Sequence, residues 1–188
     1  MRKAGARTVD VEVDGSPWRR LPVEVAVNCR LEPGRGLDRA RLRLLRDELR
    51  RVEAMSAATR SLRHRDLSAI RLDAELAQRR IAPAERRRAL KTLERAGLVD
   101  DRRVGAARAA SLARRGYGNE AIRWRLEEEG FPDEVAEEAI AMLEPERQRA
   151  ARLVEREGES ARTLRSLARR GFGEDVIEAS LGRAKGER

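Results

Sequence analysis

The sequence predicts a mainly α-helical, elongated protein of tandem three-helix repeats, about three units with the last one truncated, preceded by a short β-hairpin or small sheet. An octet carries the repeat: Ser111–Gly118 recurs 55 residues later as Ser166–Gly173, and a divergent copy, Ser61–Ser68, lies 50 residues earlier. Recurrence at such a period is typical of stacked supersecondary units. Because charged residues make up 40% of the chain and aromatic residues only 3%, several small cores are favoured over one large core.

Residues 1–36 form the predicted N-terminal β extension and linker. Apolar and acidic residues alternate over residues 8–13, which predicts a strand. Residues 14–17 have turn chemistry, and a second alternating run over residues 21–27 predicts the partner strand. Since two strands alone are marginally stable in water, we expect this hairpin to lean on the helices or on a partner.

From Leu37 onward the apolar spacing is helical, and the chain divides into predicted repeats at 37–96, 97–143 and 144–188. In the first repeat we expect Asp38 to cap a long helix and either Asp66 or Ser68 to cap the next one. In the second repeat Asn119 is the expected cap of the middle helix. The third repeat is expected to bend at Gly158 and to end before a third helix can form.

The charge is positive and unevenly distributed. The formal net charge is +9; residues 37–96 carry 17 basic and 9 acidic side chains, giving +8, whereas residues 97–143 carry 7 and 10, giving −3. Such polarity suits a nucleic acid or an acidic protein surface as partner. A basic helix face is predicted from spacings of three and four residues, formed by Arg39, Arg43, Arg46 and Arg50.

No catalytic constellation is present in the sequence. His64 is the only histidine and Cys29 the only cysteine, so neither a triad nor a metal cluster can be assembled from them. We therefore expect no enzyme activity, no cofactor and no metal. The lone cysteine, the charged start and the lack of any apolar stretch of roughly 20 residues predict a cytoplasmic protein without a membrane segment.

The repeated Arg-Arg-Gly-aromatic-Gly segment has two interpretations. In the structural one, its glycines stop a helix, the aromatic ring covers a small core and the arginines complement the helix dipole. In the functional one, successive arginine pairs form a ladder along a concave surface. The candidate contact residues are Arg114, Arg115, Arg169 and Arg170. The residues with expected structural roles are Gly97, Asp100, Asp101, Gly116, Tyr117, Gly118, Gly171, Phe172 and Gly173.

Four segments together resemble the RecX family of bacterial recombination regulators. They are Gly97-Leu-Val-Asp-Asp101, Arg114-Arg-Gly-Tyr-Gly118, Gly130-Phe-Pro-Asp-Glu-Val135 and Arg169-Arg-Gly-Phe-Gly-Glu-Asp-Val-Ile177. The resemblance covers most of the chain from Leu37. It departs from the family where an aromatic residue and an alanine usually follow the paired aspartates, since Val104 and Gly105 are found here. A glycine within a helix costs about 1 kcal/mol relative to alanine, so the second repeat is expected to pack more loosely.

The resemblance implies a non-enzymatic protein that binds RecA and the RecA–single-stranded DNA filament, and we expect the protein to act as a monomer. It further implies that binding limits filament extension and lowers the ATPase, recombinase and coprotease activities of RecA. We also expect weak direct binding to DNA. The alternative from the residues themselves is a DNA-binding helical protein that uses its basic first repeat. Phosphate binding would weaken steeply with salt, whereas filament docking would require RecA.

Overall fold

The computed structural model describes the backbone of residues 2–3 and 7–182 and the side chains of residues 7–180. Ten helices and three short strands lie in these ranges. The accessible surface is 12955 Å², against about 9,000 Å² for a compact protein of this mass. The buried apolar residues form four separate clusters. The prediction of an elongated, mainly α-helical repeat protein is therefore confirmed.

The N-terminal strands form one antiparallel sheet in the order β1 (Arg2–Lys3), β2 (Thr8–Val13) and β3 (Ser16–Pro22). The β2–β3 hairpin turns over two residues, Asp14 and Gly15, whose φ angles of 51° and 78° suit the tight turns that match strand twist. The predicted hairpin is thus confirmed, with a shorter turn than the sequence indicated.

The second predicted strand, over residues 21–27, is wrong beyond Pro22. Helix α1 (Val23–Asn28) begins there, and its adjacent residues Val25 and Ala26 are both buried while Val27 is 65% exposed. Neighbouring residues of a strand point to opposite faces, so only a helical turn buries both. Tertiary packing of α1 overrides the alternating valine pattern.

The sheet and α1 pack on the first half of α2 (Arg39–Leu62), which Asp38 caps by accepting a hydrogen bond from the Arg41 N–H at 2.8 Å. The shared cluster contains Val9, Val11, Leu21, Val25, Ala26 and Leu45. A polar contact reinforces it, since Asn28 donates to the Glu48 carboxylate at 2.6 Å. The extension therefore packs on a helix, as a small sheet of short strands requires.

The first unit consists of the second half of α2, α3 (Ala69–Gln78) and α4 (Pro83–Arg95). Of the two predicted caps for α3, Ser68 is the one used: its hydroxyl accepts from the Arg71 N–H at 3.2 Å. Three helices meet at a cluster that includes Ala54, Ala57, Ala58, Leu72, Leu76, Ala89 and Leu93. Alanines on α2 let the helices approach closely.

The second unit consists of α5 (Asp101–Arg114), α6 (Asn119–Glu128) and α7 (Asp133–Ala141). Asp100 caps α5 through the Arg103 N–H at 3.0 Å. Asn119 is not the cap of α6, as the sequence predicted, but its first helical residue, and Gly118 holds the cap position.

The expectation of looser packing at Gly105 is also wrong. Gly105 is buried on α5, and a Cβ atom there would lie 2.9 Å from Cγ1 of Val135 on α7. The missing side chain allows α5 and α7 to pack directly against each other. The lower helix propensity of glycine is therefore accompanied by closer packing of the second unit, not by looser packing.

The third unit consists of α8 (Glu146–Glu157), α9 (Ala161–Arg169) and α10 (Glu174–Gly182). The predicted bend at Gly158 separates α8 from α9, with a φ of 78°. The unit therefore has three helices, and the expectation that the chain ends before a third can form is wrong. Its cluster contains Ala150, Leu153, Leu167, Phe172 and Val176. The side chain of Leu181, another predicted core position, lies outside the described residues.

Candidate interaction surface

The first and second units are joined at the N-terminus of α3. The Ala69 N–H, the first of that helix, donates to the Asp101 carboxylate at 2.8 Å, and the Ser68 hydroxyl donates to the Glu129 carbonyl oxygen at 2.8 Å. Burial raises the pKa of Asp101, and the Ala69 hydrogen bond opposes that shift. A carboxylate from the second unit thus satisfies an amide that a helix start leaves free.

The second and third units repeat this device 50 residues later. The Asn119 N–H, the first of α6, donates to the carboxylate of Glu146, the first residue of α8. The Gly118 N–H donates to the Arg170 carbonyl oxygen at 2.8 Å, and the Glu120 N–H to that of Gly171 at 3.1 Å. Each junction is therefore closed by the next unit capping the middle helix of the unit before it.

Two glycines of the repeated segment make the second junction close enough for these bonds. A Cβ atom on Gly118 would lie 2.1 Å from the Gly171 carbonyl oxygen, and one on Gly171 would lie 2.5 Å from the Ala121 backbone nitrogen. Both obstacles are backbone atoms, which cannot rotate away. The two copies of the segment therefore contact each other, and their glycines serve the contact between units.

Arg149 of α8 is buried in the same junction and hydrogen-bonds to residues on both sides of it. It is 5% exposed and donates to the carbonyl oxygens of Glu144 at 3.1 Å and Tyr117 at 2.8 Å, and to the side-chain oxygen of Asn119. Burial lowers the pKa of its guanidinium, and the nearby carboxylates of Glu146 and Glu144 oppose that shift. A planar, multidentate cation suits these three neutral acceptors.

A basic groove of about 650 Å³ opens beside this junction, between the C-terminal end of α5 and α8. Its charged lining residues are Arg114, Arg115, Arg149, Arg152, Arg156 and Glu155. Arg152 pairs with Glu144, and Arg156 pairs with Glu157. Arg114 and Arg115 are exposed, and within the described part of the chain no carboxylate pairs with either.

The structure brings together some of the predicted arginines and separates others. Arg114 and Arg115 line the groove, and the Arg170 guanidinium lies at its edge, 3.2 Å from where a Cβ on Gly116 would be, while pairing with Glu157 at 3.4 Å. Arg169 is exposed but lies outside the lining. The α2 arginines form a separate exposed face, comprising Arg39, Arg43, Arg46 and Arg50.

Other predicted residues have structural surroundings. Gly97 and Gly116 follow helix ends with φ angles of 67° and 85°. The Tyr117 ring lies under two guanidinium groups, 4.5 Å from that of Arg125 and 5.7 Å from that of Arg115. The remaining aromatic and glycine of the second copy, Phe172 and Gly173, are buried and half-buried.

Sequence reasoning missed the three groove arginines of α8. Arg149, Arg152 and Arg156 have helical spacings of three and four, the signal that identified the α2 face. In a chain with 42 lysines and arginines, that spacing is too common to single out one helix. Their importance comes from the position of α8 against α5.

A row of three-helix units, joined by shared helix caps and with an arginine-lined groove beside the second junction, defines a helical-repeat protein with a candidate basic surface. The helices that the structure describes are each too short or too polar to span a bilayer. No protein-family model matches the chain.

The chain belongs to the RecX family. It is 37% identical over 121 residues to the regulatory protein RecX of each of two strains of Thermus thermophilus, and the match covers 64% of this chain and 84% of each relative. Two solved structures share the fold at 18% identity. A crystal structure of regulatory protein RecX gives a TM-score of 0.79 over 96% of both chains, and RecX from Lactobacillus salivarius gives 0.63 over 71% of this chain and 96% of that one.

Proposed function

We propose that this protein is a negative regulator of recombination and DNA repair that binds RecA and the RecA–single-stranded DNA filament. Binding limits filament extension and lowers the ATPase, recombinase and coprotease activities of RecA. The protein acts as a cytoplasmic monomer, without a cofactor and without catalysis of its own. Membership of a family whose relatives are named regulatory proteins carries this proposal.

The shape and charge of the molecule support a filament as its partner. Three units in series present more surface than a compact protein of the same mass, and repeat proteins use such surfaces to contact extended partners. Exposed arginines occur on α2, at the end of α5 and at the end of α9. A filament offers repeated sites to which several of these surfaces can bind at once, which increases avidity.

The test is the DNA-dependent ATPase of RecA, measured together with filament assembly on single-stranded DNA, with and without this protein. We expect both to fall at near-stoichiometric ratios of this protein to RecA. Unchanged ATPase and assembly at those ratios, with tight and salt-sensitive binding to DNA alone, would contradict the proposal.

A second candidate function is direct DNA binding by the first repeat. The observation that favours it is the exposed arginine face of α2. Only Arg50 of this face has a carboxylate partner in the described chain, with its guanidinium nitrogen 4.0 Å from the Asp47 carboxylate oxygen. Arg39, Arg43 and Arg46 have none there. The substitutions Arg43→Glu and Arg46→Glu together distinguish the two functions. If direct DNA binding is the function, these two substitutions abolish DNA binding, and every effect of the protein on RecA is lost with it.

A further inference from the structure

We propose that the protein has a hinge between its first and second units. The first unit turns as a body, the second and third units move together, and the carboxylate of Asp101 restrains the turn. The inference goes beyond the proposed function, because it concerns the free chain and depends on no partner. It follows from the different contacts that cross the two junctions.

Side chains make the contacts between the first and second units. The Ala69 N–H donates to the Asp101 carboxylate at 2.8 Å, and the Ser68 hydroxyl donates to the carbonyl oxygen that follows α6 at 2.8 Å. Arg103 pairs with Asp66 at 3.3 Å, but both side chains are at least half exposed, where an ion pair adds little. Within the described chain, no backbone N–H of either unit donates to a backbone carbonyl oxygen of the other.

The main chain makes the contacts between the second and third units. The Gly118 N–H donates to the Arg170 carbonyl oxygen at 2.8 Å, and the Glu120 N–H donates to that of Gly171 at 3.1 Å. The two glycines lie too close for either to carry a Cβ atom, and buried Arg149 adds two further donors across the junction. Backbone groups cannot rotate away as side chains can, so these two units form one rigid body.

The connecting segments differ in the same direction. Val99 is buried in the cluster of the first unit, and Asp100 caps α5 of the second, so one peptide link separates the two anchored residues. Rotation about the backbone torsions of this link turns one unit against the other, as hinges of a few residues do. Between the second and third units the chain passes through Pro145, whose ring fixes its φ and restricts the residue before it.

Asp101 is the residue that couples the two bodies. It is the first residue of α5, and its carboxylate is the acceptor for the first amide of α3. When the first unit turns, this amide exchanges the carboxylate for water. The turn changes the angle between the exposed arginine face of α2 and the groove beside the second junction, so one molecule can fit partner surfaces of different pitch.

The test is the distribution of distances between paired spin labels on the full chain, measured by pulsed electron resonance. The label sites are three exposed positions, one in each unit, introduced as Arg87→Cys, Glu134→Cys and Arg165→Cys after Cys29→Ser removes the native thiol. We expect the 87–134 distribution, across the hinge, to be broader than the 134–165 distribution by about a factor of two.

Substitutions at the two junctions separate the hinge from general loosening. Asp101→Ala should broaden the 87–134 distribution further and leave the 134–165 distribution unchanged. Asp101→Asn keeps a side-chain oxygen that can accept from the Ala69 N–H, and should stay near the wild-type width. The matched control is Glu146→Ala, which removes the equivalent carboxylate from the second junction. It should change neither distribution, because the main-chain bonds of that junction remain.

Hydrogen exchange of the wild-type chain gives a second measurement that needs no substitution. The amides of Ala69 and Asn119 are each the first of a helix, and each donates to a carboxylate of the next unit. We expect the protection factor of Ala69 to be lower than that of Asn119 by at least about tenfold. Equal distance widths or equal protection factors at the two junctions would overturn the hinge. Unchanged widths in Asp101→Ala, or equal broadening by Glu146→Ala at its own junction, would overturn the role of Asp101.

Discussion

At the scale of single residues, the junction between the second and third units depends on one buried cation. Arg149 joins residues of the turn after α5 to the segment before α8, and no other side chain of the described residues donates to its three acceptors. Removing the buried guanidinium therefore leaves three half-buried oxygens without their donor, which costs more than the loss of a surface ion pair.

We predict that Arg149→Met lowers the free energy of unfolding by about 3 kcal/mol, measured by chemical denaturation. Arg149→Lys should recover only a part, because a lysine ammonium cannot bridge three separated oxygens. The control is Arg147→Met on the same helix, whose pair with Asp175 is 70% exposed on both sides and should change stability by less than about 0.5 kcal/mol. Equal effects at positions 147 and 149 would contradict the assigned role.

Some residue roles could be predicted from the sequence and others could not. Asp38 and Asp100 were identifiable as caps because a cap acts on amides only three residues away. Asp101 and Glu146 also accept from helix amides, but from amides 32 and 27 residues distant in sequence. No local pattern reports such a partner. Gly105 is a similar case. From the sequence it is only a weak point in a helix, because the residue that it packs against, Val135, is 30 residues away in the chain.

At the scale of elements, the repeated segment proves to be a general device for ending one helix and starting the next. It stands between the first and second helices of the second unit, but between the second and third helices of the third unit. The sequence-based prediction assumed that the segment has the same place in every unit. It therefore treated α9 as the equivalent of α5 and predicted one helix too few for the third unit. The turns that face the preceding unit are Glu129–Gly130 and Arg170–Gly171, and these are the equivalent positions in space.

The close contact of the two segments gives a prediction for Gly118→Ala. Gly118 has an ordinary φ of −79°, so the cost is steric and comes from the Gly171 carbonyl oxygen. We expect a loss of about 3 kcal/mol in unfolding free energy, at the upper end for overpacking, and faster hydrogen exchange at the first amides of α6. Gly36→Ala is the control, because nothing lies within 4 Å of its Cβ position. If both variants unfold like the wild type, the units are not joined as described.

The N-terminal elements show where local sequence patterns stop being informative. Alternating valines predicted a strand over residues 21–27, but the chain is helical beyond Pro22, because α2 offers a surface that Val25 and Ala26 can both reach only from a helix. The hairpin turn itself was predictable, since the Asp14-Gly15 pair favours a two-residue turn whichever element the hairpin packs against. Tertiary contacts of this kind are set by α2, which begins 16 residues after the start of α1.

At the scale of the whole molecule, a basic first unit and an acidic second unit lie in one row. Residues 37–96 carry a net +8 and residues 97–143 a net −3, so a uniform polyanion would not attract all parts of the surface equally. A nucleoprotein filament presents both phosphates and protein side chains along its length. Its mixed chemistry matches this polarity better than naked DNA does.

The most direct test of the account is co-sedimentation of the full chain with RecA–single-stranded DNA filaments, compared with the same DNA without RecA, as salt is raised from about 50 to 200 mM. Binding to DNA alone should fall steeply over this range because phosphate contacts release counterions. Binding to the filament should persist at the higher salt, since RecA supplies contacts that do not depend on counterion release. Equal loss from filament and bare DNA, or binding to bare DNA only, would contradict the claim that this protein is a regulator of the RecA filament.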